Sequence, residues 1–494
     1  MRKIFKPTVK LGIVAIATIF SSSITLANTL ESIPAVFKLK LIHNSDREYL
    51  ALQSLAQRYS CSTKFSHDLS NIPITRYEFA VGLNNCLQQF ESISDPKDLA
   101  TWQRLQQNFA LELVDLSNKI DEVETDLNQV EVHQFSTTTR LNAQVLFFLA
   151  DSFGQEANNS ATFSGYRTRL DFDTSFDGQD LLKIRLENRN IGRLDDVTDT
   201  FLSRLSVDGD SDGRTEIAEL SYAFSPAKNT EIMLGTVGVG LNDIGEVLNP
   251  FSSSSQGALS RFARRDPATL RGAGGSGIGI EQEFSDKVSA SAGYLIESEN
   301  VANPEAGRGI WQSSASAIAQ LVLKPKDKLA LALTYTHIYQ QNEDVNLMGS
   351  TGIEESNQPF GSNATTANNL GLQFNWIVNS SLEVGGWFGY TQAQQQNNGD
   401  AEATILNGAL TFAFPDLLVE NNLGGIIIGV PPAIANHDDS SLIAAETPLH
   451  IEALYRVEID DNIEITPGFF TIINPDTDDG STLWVGTVRT LFRF

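Results

Sequence analysis

Four arginines, Arg261, Arg264, Arg265 and Arg271, fall within eleven residues of chain that contain a single acid, Asp266. The chain as a whole is strongly acidic, with 61 Asp+Glu against 35 Lys+Arg and a formal net charge of -26. A basic cluster this dense is therefore conspicuous. Guanidinium groups crowded into a narrow, low-dielectric passage attract anions and repel cations. Upstream, alternation places more charge on one face of two successive segments. Tyr166, Thr168, Leu170 and Phe172 share one side, and Arg167, Arg169, Asp171 and Asp173 share the other. The next segment sets Leu182, Ile184 and Leu186 against Lys183, Arg185, Glu187 and Arg189. Such a period of two is that of a strand with one apolar face. The expectation is a pore whose lumen carries these eight residues and whose constriction is made by the four arginines of the third long loop. The acids among the lumen set allow a transverse field as well as anion preference.

Other chemistry is less well supported. The stretch from Asp208 to Glu219 fits a twelve-residue calcium loop, with Asp208, Asp210, Asp212 and Glu219 at ligand positions and Gly213 at the turn. That loop needs flanking helices, and this one leads into a strand, so weak calcium binding is the most it suggests. Gly272 to Gly277 matches a dinucleotide-binding glycine pattern, but it precedes a strand instead of opening a helix. The six histidines lack ligand spacing. No cofactor and no enzymatic activity are expected. The negative charge argues against nucleic acid as a partner.

The elements that must position the arginines follow from pattern. Residues 1–27 read as a signal peptide, with Arg2, Lys3, Lys6 and Lys10 ahead of an apolar core from Leu11 to Phe20. Mean hydropathy is -0.14 and no later apolar run can span a bilayer as a helix, so a membrane protein of this composition must cross with strands. Residues 28–95 suggest a small helical domain, with Thr75 and Glu78 as a capping box. Cys61 and Cys86 are disulfide candidates in an exported chain. Residues 96–133 suggest a coiled coil. Leu113, Leu116, Ile120, Val123, Leu127 and Val130 recur at steps of 3 and 4, a heptad seam, and Trp102, Leu105 and Phe109 extend it upstream. The seam's natural partners are copies of itself.

Residues 134–494 then alternate throughout. About 16 antiparallel strands are expected, an even number as in bacterial outer-membrane barrels. They run from 140–150 to 482–494, and include 181–191, 288–297, 310–323, 422–430 and 463–473. Gaps between strands are alternately short and long, which implies turns at one rim and loops at the other. The last strand would close on the first and leave no free edge.

Several runs resemble a known family. Leu52 to Cys61 and Ile74 to Cys86 resemble the S-layer homology domain of cyanobacterial porins. Asp98 to Leu105 and Gln134 to Asn142 look like their coiled coil and first strand, and Gly257 to Pro267 is similar to their third loop. The resemblance implies a homotrimeric porin of the carbohydrate-selective superfamily, of the type called iron uptake porins. It would sit in outer-membrane lipid with its N-terminal domain in the periplasm, pass small ions and solutes, and tether to peptidoglycan-linked polysaccharide. The sequence departs from the family at 62–72, where the usual glycine-rich turn has no glycine, and no Trp precedes Trp102. An alternative is a structural tether between outer membrane and wall, its barrel plugged or gated.

Overall fold

The computed structural model describes residues 41–59, 61, 63, 73–88, 95–119, 138–154, 160–397, 399–443, 446–475 and 481–494. The chain divides into two compact units, Met1–Gln134 and Phe135–Phe494. The signal-peptide expectation lies outside the described residues.

Among the described residues the first unit contains α1 (Arg47–Tyr59), α2 (Arg76–Gln88) and α3 (Pro96–Asn108). Two short strands, Leu41–Ile42 and Ile74–Thr75, pair antiparallel beside them. The expected capping box is present. The Thr75 N–H donates to the Glu78 carboxylate at 2.7 Å, and the Glu78 N–H donates to Thr75 Oγ1 at 3.2 Å. Asp95 caps α3 through the Lys97 N–H, with Pro96 in the first turn where its missing N–H is harmless. Cys61 and Cys86 form a disulfide, their Cα atoms 5.1 Å apart.

Leu52, Leu55, Phe79, Leu83, Trp102, Leu105 and Phe109 are buried in one core. This corrects the upstream end of the seam. Trp102, Leu105 and Phe109 pack inward on α1 and α2, so the small unit does not stop at residue 95. Helical spacing is the same for both uses, and a large aromatic covered by its own chain needs no second copy. Residues 110–119 are helical, with Leu113 packed against the same core and Arg76 paired to Glu112 at 2.5 Å. Of the seam, Leu113 and Leu116 are described; Ile120, Val123, Leu127 and Val130 lie outside the described residues.

The second unit is a closed antiparallel barrel of sixteen strands. They are β1 (Thr139–Gly154), β2 (Phe163–Thr174), β3 (Leu181–Ile191), β4 (Glu216–Ala227), β5 (Thr230–Val239), β6 (Gly275–Ser285), β7 (Val288–Glu297) and β8 (Ala315–Lys326). The second half comprises β9 (Leu329–Gln340), β10 (Thr365–Asn379), β11 (Leu382–Gln395), β12 (Glu402–Pro415), β13 (Leu423–His437), β14 (Leu449–Asp460), β15 (Ile463–Ile473) and β16 (Thr482–Arg493). β16 pairs with β1, from Leu483 opposite Gly154 to Arg493 opposite Gln144. Closure leaves no strand with a free edge.

Register explains the alternation. Leu321, Leu333, Leu372 and Phe388 stand in one line across β8 to β11, all exposed on the outer face. Gln320, Thr334 and Gly371 make the neighbouring line on the inner face. Short connections at one rim, such as 228–229, 286–287 and 380–381, contrast with long ones at the other, 192–215 (loop 2) and 240–274 (loop 3).

Candidate functional site

Loop 3 lies inside the barrel, and particular wall residues hold it there. The N–H groups of Glu246 and Leu248 donate to Gln320 Oε1 of β8 and Gln373 Oε1 of β10, at 2.6 and 3.2 Å. The carboxylate of Glu452 on β14 accepts from the Leu259 N–H at 2.5 Å and the Ser260 hydroxyl at 2.6 Å. Arg489 of β16 donates to the carbonyls of Ser254 and Gly257, at 3.1 and 2.7 Å. Loop 2 runs beside it, with the Ser206 N–H donating to the Leu259 carbonyl at 2.7 Å and the Arg261 N–H to the Arg204 carbonyl at 2.8 Å.

The wall beneath loop 3 is floored with glycine because backbone and ring approach too closely for anything larger. A Cβ on Gly425 of β13 would come within 2.7 Å of the Phe251 ring, and one on Gly468 of β15 within 2.5 Å of the Leu259 side chain.

Across the remaining space stand β2, β3 and β4. Register sets Arg169 opposite Glu187, Asp171 opposite Arg185, and Asp173 opposite Lys183. These become ion pairs: Arg169 with Glu187, Arg185 with Asp171 at 2.6 Å and Glu219 at 3.1 Å, Lys183 with Glu219 at 3.4 Å, and Arg189 with Glu187 at 3.3 Å. Asp173 accepts from the Asn142 amide at 2.8 Å. Arg167 differs. It is 2% exposed, opposes Arg189 in register, and donates to the hydroxyls of Ser254 and Ser255 at 3.1 and 2.7 Å. The wall arginines other than Arg167 are thus largely neutralised by their strand neighbours.

Loop 3 supplies the opposite charge balance. Arg261 and Arg264 donate through Nε to the carbonyls of Gly349 and Ser252, both at 2.8 Å. Among the described residues neither they nor Arg265 has a carboxylate within ion-pair distance, and Arg265 Nε is buried without a hydrogen-bond partner. A cavity of about 520 Å³ lies between the two sides. It is lined by Arg167, Arg169, Arg185 and Arg189 from the wall and Arg261, Arg264 and Arg265 from the loop, against three acids, Asp208, Glu219 and Asp243. Of these, Asp208 and Glu219 are already paired with basic residues. The arrangement presents excess positive charge to whatever enters.

Two expectations need correction. Arg271 does not line the cavity. It is 6% exposed, packs against Gly349 and donates to the Arg261 carbonyl behind the loop. The calcium loop does not assemble either. Asp208 is held by Arg204 at 2.6 Å, Glu219 sits on β4 with Lys183 and Arg185, and the Asp212 N–H turns back onto Asp210 at 2.8 Å. The chain enters β4 at Glu216 where a helix would be required. Of the expected lumen set, Arg167, Arg169, Arg185 and Arg189 reach the cavity, while Asp171, Asp173, Lys183 and Glu187 stand behind them on the same wall. Glu464 of β15 also secures loop 3, accepting from the Gln256 amide at 2.8 Å; sequence motifs alone mark neither it nor Glu452 and Arg489. Their inward positions on alternating strands were a usable signal.

A family model described as the carbohydrate-selective porin, OprB family, matches residues 96–494. An uncharacterized protein of Synechocystis sp. is 33% identical over 95% of this chain and 92% of its own length. An uncharacterized protein of Nostoc sp. is 30% identical over 94% of this chain and 86% of its own. Among solved structures, the high-pH form of OprB from Pseudomonas putida aligns with a TM-score of 0.51 at 12% identity, over 75% of this chain and 97% of that one, a likeness of fold.

Proposed function

Since this chain belongs to the carbohydrate-selective porin (OprB) family, an outer-membrane diffusion channel, we propose that it passes small hydrophilic solutes and inorganic ions with a preference for anions. The observation that carries the reading is the uncompensated loop-3 charge. Arg261, Arg264 and Arg265 face a wall whose own arginines are mostly neutralised. An ion crossing between the two sides meets a net positive field in a confined space, which favours anions over cations. The channel is passive. The long-loop rim faces the exterior and the N-terminal unit the periplasm, and the family resemblance supports a homotrimer. Sugars and iron species belong to the solutes the family resemblance suggests.

The test is a planar-bilayer recording of the protein in a salt gradient. Discrete steps with a reversal potential on the anion side support the reading. An unchanged reversal potential in Arg261→Ala/Arg264→Ala/Arg265→Ala would sink the assignment of the constriction.

A second reading, a tether between outer membrane and wall, draws on the N-terminal unit. That unit has its own buried core and a disulfide. Retention of the full chain on purified peptidoglycan tests it, and failure to bind sacculi at low salt removes it.

A further inference from the structure

We propose that the lumenal cavity holds a binding site for a phosphate group, built on the guanidiniums of Arg261, Arg264 and Arg265. The inference deepens the channel reading and rests on it. Three observations carry it.

The first is the division of labour between the two sides of the cavity. Register gives Arg169 and Arg185 carboxylate partners on adjacent strands. No such partner lies within ion-pair distance of the loop-3 three among the described residues, although the chain is rich in acids. Guanidiniums held partly out of water without a carboxylate partner are costly, and a site that tolerates them is poised for an anion from outside.

The second is what remains unbound on those side chains. Arg261 and Arg264 spend Nε on backbone carbonyls, which fixes each guanidinium in place. No hydrogen bond among the described residues takes up their terminal nitrogens. Arg265 lines the cavity with Nε buried and unpartnered. Fixed forks with free N–H groups suit a tetrahedral oxyanion, which accepts two bonds from each guanidinium in parallel. Chloride has no such geometry to match.

The third is room. About 520 Å³ exceeds the needs of one phosphate, so either the free ion with its waters or a small phosphate ester fits. Ser254 of loop 3, joined to Arg167 of the wall at 3.1 Å, adds a hydroxyl to the same lining for the ester or for water.

The experiment uses the full chain in a planar bilayer carrying chloride current, with phosphate, glucose 6-phosphate or glucose added in turn. Phosphate is expected to halve the current at about millimolar concentration, with tenfold or more weakening in Arg264→Ala/Arg265→Ala. Arg264→Lys/Arg265→Lys keeps the charge and loses the fork, so it also weakens the block. Arg308→Ala, in another loop, keeps it. Block by both phosphate compounds assigns the site to the phosphate group itself; block by phosphate alone assigns it to the free ion, and block by glucose 6-phosphate alone to the ester. An open, anion-preferring channel that neither phosphate compound blocks, or block by glucose to the same degree, overturns the site and leaves the channel reading standing. Silence from folded, heat-modifiable protein overturns both.

Discussion

Glu452 and Ser260 meet inside the barrel, the carboxylate accepting the Ser260 hydroxyl at 2.6 Å and its N–H at 3.2 Å. The same carboxylate takes the Leu259 N–H, and both oxygens are fully buried with the side chain. Hydrogen bonds to a buried charge are among the stronger single contacts in a protein. Replacing Glu452 with Ala strands three donors and loosens the middle of loop 3. The expected cost is about 3 kcal/mol, seen as a lower temperature of heat modification. Single-channel records should show added flicker as the loop leaves the wall. A variant with the stability and noise of the parent would show that loop 3 is held elsewhere.

Gly425 tests the same seating by a different route. A Cβ there meets the Phe251 ring at 2.7 Å, and Leu454 blocks the other side at 3.0 Å. Gly425→Val therefore pushes Phe251 off the wall, at about 1–3 kcal/mol for overpacking. Conductance should change together with stability. Gly486, on the outer face, has its nearest neighbour at 3.7 Å, so Gly486→Ala should alter neither.

The barrel was legible in the sequence because a bilayer imposes alternation strand by strand. Segments 181–191, 288–297 and 463–473 coincide with β3, β7 and β15. The segment placed at 310–323 begins later, at Ala315, because Ile310 and Trp311 belong to the preceding loop. The sequence places the end of β13 at 430, just before Pro431 and Pro432, yet the strand continues to His437. At the site, periodicity found the wall ladder, since a charge on the inner face of a strand is visible from its neighbours two residues away. It could not separate Arg271 from Arg261, Arg264 and Arg265. Which side of a loop faces the lumen is decided by contacts with Gly349 and Glu452, far away in sequence. Trp102 shows the same limit in the helical unit. Its spacing fits a coiled coil, and only the presence of Phe79 and Leu83 makes it a core residue.

Cys61 and Cys86 join α2 to the end of α1 across 25 residues. Thiol titration of the unfolded, unreduced protein should find none and, after reduction, two. Cys61→Ser/Cys86→Ser should lower the stability of the first unit by about 3 kcal/mol, through the freed loop entropy of its unfolded state. The barrel's heat modification should not move. A change in the barrel alone would contradict the division into two units.

Asp180 closes the turn between β2 and β3. Burial works against its charge, but the Asp177 N–H, the Ser175 hydroxyl, the Phe176 N–H and the Tyr222 hydroxyl all donate to it and hold its carboxylate well below the usual range. A depressed folded value means that the charge contributes stability fully above the ordinary carboxylate pKa of about 4. That contribution is lost as pH falls through the folded value. Asp180→Asn should therefore be less stable than the parent at neutral pH, with the gap closing only in strong acid. Unfolding in urea from pH 7 down to pH 2 would measure it. A gap independent of pH would mean that shape and not charge holds the turn.

Glu187 offers the sharpest test of the compensated wall. Its carboxylate pairs with Arg169 and, at 3.3 Å, with Arg189, and both arginines line the cavity. Glu187→Gln keeps the shape and most of the hydrogen bonding while removing one negative charge from behind the lumen surface. The two guanidiniums then add to the field that Arg261, Arg264 and Arg265 already present. Reversal potential in a salt gradient should move further toward the anion limit, and more at low ionic strength, where screening is weakest. Arg169→Gln should move it the opposite way, because it leaves Glu187 only Arg189. Shifts of the same sign in both variants would mean that the wall acts through its packing, and the electrostatic account of the constriction would fail.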